Sequence, residues 1–301
     1  MIITACSRRK KAPIDPILHP ANLSAGSLSD VADQWRALVA STSKPYRAAL
    51  LYGGRAFTDA AWSARIMGVP HFVISAGLGL VGPECEIPAY SLTTTGSTDE
   101  NVLARCPAGT RPVDWWRATF PNSALKKLIA NTEGRVCLAL PRTYLEMIYN
   151  DLSELDPQTT SKVRIFTGAG ETLRGSRFVE NIMPYDTRLD GPDSPLPGTK
   201  SDFASRALRH FTMLTQSQPV QGLVEDRTRV EHSLAPMRMP IFPKRERKSD
   251  EEIRAALIEA WPSANGNRQR LLRHLRDALL ISCEQSRFTR IARALAAEGL
   301  V

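Results

Sequence analysis

Short, continuous apolar runs alternate along the chain with longer stretches in which apolar residues return every three or four positions. Ile2–Cys6, His71–Ser75, Arg135–Leu140 and Val163–Thr167 have the length and composition of buried strands. Between them, residues 28–40 carry Val31, Trp35, Leu38 and Val39 at helical spacing, and a second helical stretch runs through Phe57, Ala61, Ala64 and Ile66. Pro141 suits the first turn of a helix after the third strand, and a further helix is expected near Ser201–Thr215. Strands alternating with helices predict an α/β chain built around a parallel sheet, as a three-layer α/β/α sandwich over residues 1–215.

The pattern changes after that. Residues 216–248 have few periodic apolar positions, contain Pro219, Pro236, Pro240 and Pro243, and end in the charge run Lys244–Lys248. They read as an extended basic linker. Ser249-Asp250-Glu251-Glu252 is a capping box, and residues 249–301 read as three short helices broken by Asn265-Gly266-Asn267 and by a turn before Ser286. This arrangement resembles a helix-turn-helix module.

Charge sharpens the division. The formal net charge is +8, and residues 227–301 hold 15 Lys/Arg against 9 Asp/Glu, whereas residues 1–226 hold 24 against 22. A nearly neutral body with a basic tail suits a polyanion, because cation–phosphate contacts release counterions. Lys244, Arg245, Arg268, Arg270, Arg273, Arg287 and Arg290 are the expected nucleic-acid contacts, on double-stranded DNA carrying modified bases. Five scattered cysteines (Cys6, Cys85, Cys106, Cys137, Cys283) have no metal-ligand spacing, so no metal, cofactor or disulfide is expected. There is no run of eighteen apolar residues and no signal-peptide pattern at the start, so a cytoplasmic protein without a membrane span is expected.

Common catalytic motifs are missing: GxxxxGK[ST], GxGxxG after the first strand, GxSxG, and HxE…PCxxC. Polar and glycine-rich strand ends remain. In parallel sheets, ligands sit beyond the carboxyl ends of strands, and one pocket would gather Cys6-Ser7-Arg8, Tyr52-Gly53-Gly54, Ser75-Ala76-Gly77 and Thr167-Gly168, with Gly170 ending the last of these loops. Ser7 and Arg8 suit a phosphate or oxyanion. Tyr52, Phe57 and Tyr90 suit stacking on a base. Gly53, Gly54, Gly77 and Gly79 suit close approach of a flat ligand. Glu86 is the preferred catalytic carboxylate, with Asp15 and Asp186 as alternatives and Asp59 as a further competitor. Arg188 is a candidate phosphate contact beside Asp186. Lys10 is the candidate for a Schiff base, and His210 reads as a core histidine.

Three stretches together carry a family resemblance: Ala5-Cys6-Ser7 with its following lysines, Leu51-Tyr52-Gly53-Gly54-Arg55-Ala56-Phe57, and Ile74–Val81 followed by Ile87-Pro88-Ala89-Tyr90. In this order they resemble the uracil-DNA-glycosylase-like domain attached to archaeal tRNA-guanine transglycosylases, with relatives among deazaguanine-modification and peroxide-stress proteins. The resemblance spans about the first 170 residues and implies a base-binding pocket. True uracil-DNA glycosylases place an Asp and a Tyr just after strand one, where this chain has Cys6-Ser7-Arg8-Arg9-Lys10. In overall plan, a glycosylase-like pocket joined to a basic module resembles bacterial anti-phage glycosylases that flip out and excise hypermodified bases such as glucosylated hydroxymethylcytosine. The expected activity is therefore that of a hydrolase, a DNA N-glycosylase; the alternatives are a deazaguanine-type base-modifying enzyme and a non-enzymatic module that binds modified nucleic acid.

If the basic tail supplies affinity, deleting residues 249–301 should weaken duplex binding and flatten its salt dependence while changing base preference little. Filter binding at several salt concentrations checks this.

Overall fold

The computed structural model describes residues 1–168, 176–241 and 243–300; Gly170 lies outside them. The chain forms two compact units, Met1–Pro240 and Ile241–Val301. The strands of the first are β1 (Ile2–Ala5), β2 (Tyr46–Arg47), β3 (His71–Ser75), β4 (Gly79–Val81), β5 (Glu86–Ile87), β6 (Val136–Ala139) and β7 (Val163–Phe166). Its helices are α1 (Leu28–Ser41), α2 (Ala48–Leu51), α3 (Arg55–Met67), α4 (Pro112–Thr119), α5 (Leu125–Ala130), α6 (Arg142–Met147), α7 (Tyr149–Ser153), α8 (Pro157–Ser161), α9 (Phe203–Thr215) and α10 (Leu223–Leu234).

The central sheet has the order β4-β3-β1-β6-β7. It is parallel except for β4, which folds back against β3 through the tight Ala76–Leu78 turn. β1 sits in the middle, with Ile2 beside both His71 and Cys137. Its alternating side chains therefore serve two cores. Ile3, Ile74, Val136 and Leu138 face a layer containing Val31 and Trp35 of α1, Trp115 and Trp116 of α4, and Leu145 of α6. Ile2, Cys137, Ala139 and Phe166 face Ala60 and Ala64 of α3, Ala207 and Phe211 of α9, and Val230 and Leu234 of α10. Helices thus cover both faces of a mostly parallel sheet. Local chemistry sets the helix ends. The Ser27 hydroxyl accepts the Asp30 N–H at the start of α1. Gly68, left-handed at φ 63°, closes α3 by donating to the Ala64 and Arg65 carbonyls. On α3 the buried positions are Phe57, Asp59, Ala60, Ser63 and Ala64, while Ala61 and Ile66 face outward.

The expectation of an extended linker over 216–248 needs correction. Residues 223–234 form α10, which places Asp226, Val230 and Leu234 on one buried face. Its apolar stripe is short because one core position is a carboxylate. Asp226 accepts Arg135 Nε at 2.8 Å and Nη2 at 2.7 Å, and Arg164 Nε at 2.8 Å. Arg135 precedes β6 and Arg164 lies within β7, so this triad ties α10 to the sheet. His210 is a buried histidine whose Nδ1 meets the Tyr185 hydroxyl at 3.0 Å. Among the described residues no helix is long and apolar enough to cross a membrane, and no three His, Cys, Asp or Glu side chains gather as a metal-binding group.

The second unit holds α11 (Asp250–Ala260), α12 (Arg268–Arg273) and α13 (Gln285–Ala297), with a parallel pair, β8 (Glu246–Arg247) and β9 (Ile281–Ser282). The capping box is present: Ser249 Oγ accepts the Glu252 N–H, and Glu252 accepts the Ser249 N–H. Leu257, Leu271, Leu275, Phe288, Ile291 and Leu295 form its separate core.

Two outcomes follow for stability. Asp226→Ala leaves two buried guanidinium groups without their anion and should cost about 3–5 kcal/mol in urea unfolding. His71, held neutral by burial with its pKa lowered to about 4, is bonded to Thr4 Oγ1 at 2.8 Å. Its contribution is complete above the unfolded value near 6.5 and is lost as pH falls through about 4. In His71→Gln the fall in melting temperature over that window should be shallower than in the wild type.

Candidate functional site

The crossover from β1 to β3 ends in α3 on one face of the sheet, and the crossover from β6 to β7 runs through α6–α8 on the other. The two paths diverge between the neighbours β1 and β6, the position at which open α/β sheets form a crevice. Cys6 leaves β1 there and Tyr144 stands on α6 just after β6. Cys6 Sγ and the Tyr144 hydroxyl share a hydrogen bond of 3.0 Å across the switch point.

A hydroxyl relay lies beside this pair. Ser75, fully buried at the end of β3, accepts the Gly77 N–H at 3.2 Å and the Leu78 N–H at 3.0 Å. Its hydroxyl also meets that of Tyr90, which meets that of Tyr52 at 3.0 Å. A serine oxygen has two lone pairs and one hydrogen. The two amides occupy the lone pairs, so Ser75 donates to Tyr90, Tyr90 donates to Tyr52, and the Tyr52 O–H ends the relay. Burial pushes the hydroxyls of Tyr52, Tyr90 and Tyr144 well above the ordinary tyrosine range, and the nearby Cys6 adds to the effect. They remain protonated donors. The turn is held from its other side by two buried tryptophans: Trp35 Nε1 donates to the Gly77 carbonyl at 2.7 Å and Trp115 Nε1 to the Ala76 carbonyl at 2.8 Å.

Cations line the approach. Residues 9–11 run alongside 51–53, with Lys11 N–H on Leu51 O at 2.8 Å and Gly53 N–H on Arg9 O at 2.9 Å. This pairing lays the Lys10 ammonium over the Tyr90 ring at 4.3 Å and the Tyr52 ring at 5.9 Å. Burial lowers the Lys10 pKa, while Cys6 and Glu100 pull it upward. Arg8 pairs with Glu100, which also accepts the Ser91 hydroxyl at 2.7 Å. That serine bond, opposed by burial and aided by Arg8, holds the Glu100 carboxyl below its ordinary value.

Of the four strand ends expected in one pocket, three converge. Cys6, Tyr52, Ser75 and Tyr90 belong to the cluster, and Ser7 and Arg8 lie at its edge, where Ser7 Oγ accepts the Arg9 N–H. Thr167 and Gly168 follow β7, two strands beyond β1 and so roughly 10 Å away. The glycines do not open space for a flat ligand. A Cβ on Gly77 would lie 2.9 Å from the Tyr90 ring, and one on Gly79, at φ +74°, would lie 2.9 Å from Phe120. Gly53 is covered by Lys11, and Gly54 faces Ser7. The aromatic faces are also engaged: Phe57 packs between Tyr52 and His71, and Tyr52 and Tyr90 are fully buried.

None of the three expected carboxylates joins the relay. Asp15 donates its N–H to Ala89 O, next to Tyr90, but its carboxylate accepts the Ile17 N–H. Glu86 is exposed on β5 opposite Arg47 and lines a cavity of about 360 Å³ with Lys11, Tyr46 and Leu51. Asp186 follows the Ile182 bridge beyond the β7 edge and pairs with Arg188 at 2.8 Å. Burial pushes the Asp186 carboxyl up and Arg188 more than offsets it. Asp59 is buried between Arg55 and Arg209. The residues not anticipated from sequence are Tyr144 and Glu100, because no local pattern marks either.

The relay is closed by its own packing, with only the Tyr52 O–H left unspent, and the cations Lys10, Arg8 and Arg9 stand at its edge. Tyr90→Phe cuts the relay at its middle. It should lower stability by about 1–2 kcal/mol and speed hydrogen exchange at the Gly77 and Leu78 amides, read by NMR. Comparison with family models, with curated proteins and with solved structures returned no match.

Proposed function

We propose that this chain is a DNA N-glycosylase that excises a modified base, such as the glucosylated hydroxymethylcytosine of phage DNA, and leaves an abasic site in anti-phage defence. The observation that carries the reading is the buried Ser75–Tyr90–Tyr52 relay beside Cys6–Tyr144, at the sheet's switch point, with Lys10, Arg8 and Arg9 at its edge. A base must leave the stack to be excised, and a cation-lined rim suits the phosphates around the extruded nucleotide. In the reaction, the bond between C1′ and the base nitrogen breaks and its electron pair leaves with the base. Water adds its oxygen to C1′, and its proton ends on the base or a carboxylate. The Tyr52 O–H, which the relay leaves unspent, is the donor to charge developing on the departing base, and Glu100 is the carboxylate that acts electrostatically on Lys10.

A second reading, a module that binds modified nucleic acid without turnover, is favoured by one observation: Glu86, Asp15 and Asp186 all have their carboxylates engaged or placed outside the relay.

The test is incubation with unmodified DNA and with hypermodified phage DNA in metal-free buffer, followed by alkali cleavage and mass spectrometry of released bases. Free modified base and alkali-labile strands are expected from the modified DNA alone. Tyr52→Phe should slow release about 100-fold with little change in duplex affinity. No release from either DNA, with tight binding retained, would leave the binding module as the function.

A further inference from the structure

Five arginines of the second unit are bound within it, and among the described residues Arg247, Arg268, Arg270, Arg273 and Arg293 are not. Arg287 and Arg290 both hold Asp250, Arg254 holds Glu298, and Arg245 holds Asp277. Arg276 donates to the Cys283 carbonyl at 2.7 Å. These side chains fasten the unit together. Of the exposed, unpaired arginines, Arg270 and Arg273 stand one turn apart on α12. They share a face with His274 at positions i, i+3 and i+4, opposite the buried Leu271 and Leu275.

The backbone marks the same segment. After Arg273 the helix widens into a π-helical turn over His274–Ala278, a feature that recurs at functional sites. Two residues beyond it stands Leu280, a bulky residue held at φ +51°, a conformation that costs free energy and persists where function or packing demands it. The Leu280 carbonyl is pinned by the Glu246 N–H at 2.8 Å.

We propose that this outward face, Arg270, Arg273 and His274, takes the phosphate backbone of a DNA duplex, whereas Arg245, Arg287 and Arg290 stabilise the fold. Arginine forks match phosphate oxygens in pairs, and a helix fits the width of the major groove. The assignment rests on nucleic acid being the partner, as in the proposed function, but it requires no chemistry at the relay.

The experiment is fluorescence anisotropy of the full chain with a labelled 20-base-pair duplex across 50–200 mM salt. Arg270→Ala with Arg273→Ala should weaken binding at least about tenfold and reduce the slope of log K against log salt by about 2. The double lysine variant should keep most of the slope. Arg287→Ala should lower the melting temperature and, at a temperature where it is folded, leave the slope unchanged. Unchanged affinity and slope in the double alanine variant, or a wild type that does not bind the duplex, would overturn the assignment. So would loss of binding to anionic lipid vesicles with duplex binding kept. A wild type that binds with this slope and releases no base would overturn excision alone.

Discussion

The Ser75 side chain governs the carboxyl edge of the sheet. Its oxygen is buried where water cannot replace a missing partner, so each of its bonding positions must be filled from within the protein. Two backbone amides from the turn after β3 and one tyrosine hydroxyl fill them. That single group therefore fixes the shape of the 76–78 turn, the position of the 90 segment and, through Tyr90, the position of the 52 segment. The tryptophans of α1 and α4 complete the arrangement by taking the turn's carbonyls. A turn with both its donors and its acceptors satisfied is rigid, and rigidity suits any site that must hold a ligand in one geometry.

The same requirement explains the electrostatics of the body. Buried charges there come in compensated groups. Asp226 is matched by Arg135 and Arg164, and Arg206 by Asp190 and Asp202 together with several carbonyls. Such groups position helices and leave little charge for a partner. Lys10 is the exception near the relay, a cation buried against aromatic rings with Cys6 and Glu100 close by. In the second unit the pairing is incomplete: among the described residues Lys244, Arg247, Arg268, Arg270, Arg273 and Arg293 are exposed without an ion pair, and three of them stand on α12. A net charge of +8 does not by itself say which cations meet a partner; ion pairing decides that.

The central strands were legible from sequence. β1, β3, β6 and β7 are runs of apolar, often β-branched residues, and a strand buried on both faces needs no more than that. The start of α1 and the first helix of the second unit were also legible, because caps act within four residues, and so was the nearness of Cys6 and Ser75, which end the neighbouring strands β1 and β3; Tyr52, which follows α2, and Tyr90, beyond β5, reach them only through tertiary packing. α10 was not, because its buried face includes Asp226, which reads as surface until Arg135 and Arg164 are seen beside it. Gly77 and Gly79 read as open backbone, yet Tyr90, Trp35 and Phe120 fill the space above them. Tyr144 and Glu100 carry no local signal at all. The sequence alone determined what depends on neighbours along the chain: strand and helix periodicity, caps and charge count. Tertiary structure decided which hydroxyl meets which, which glycine is covered and which arginine is left unpaired. Those outcomes depend on residues far apart in the chain, 138 positions in the case of Cys6 and Tyr144, whose meeting is set by the packing of the whole sheet.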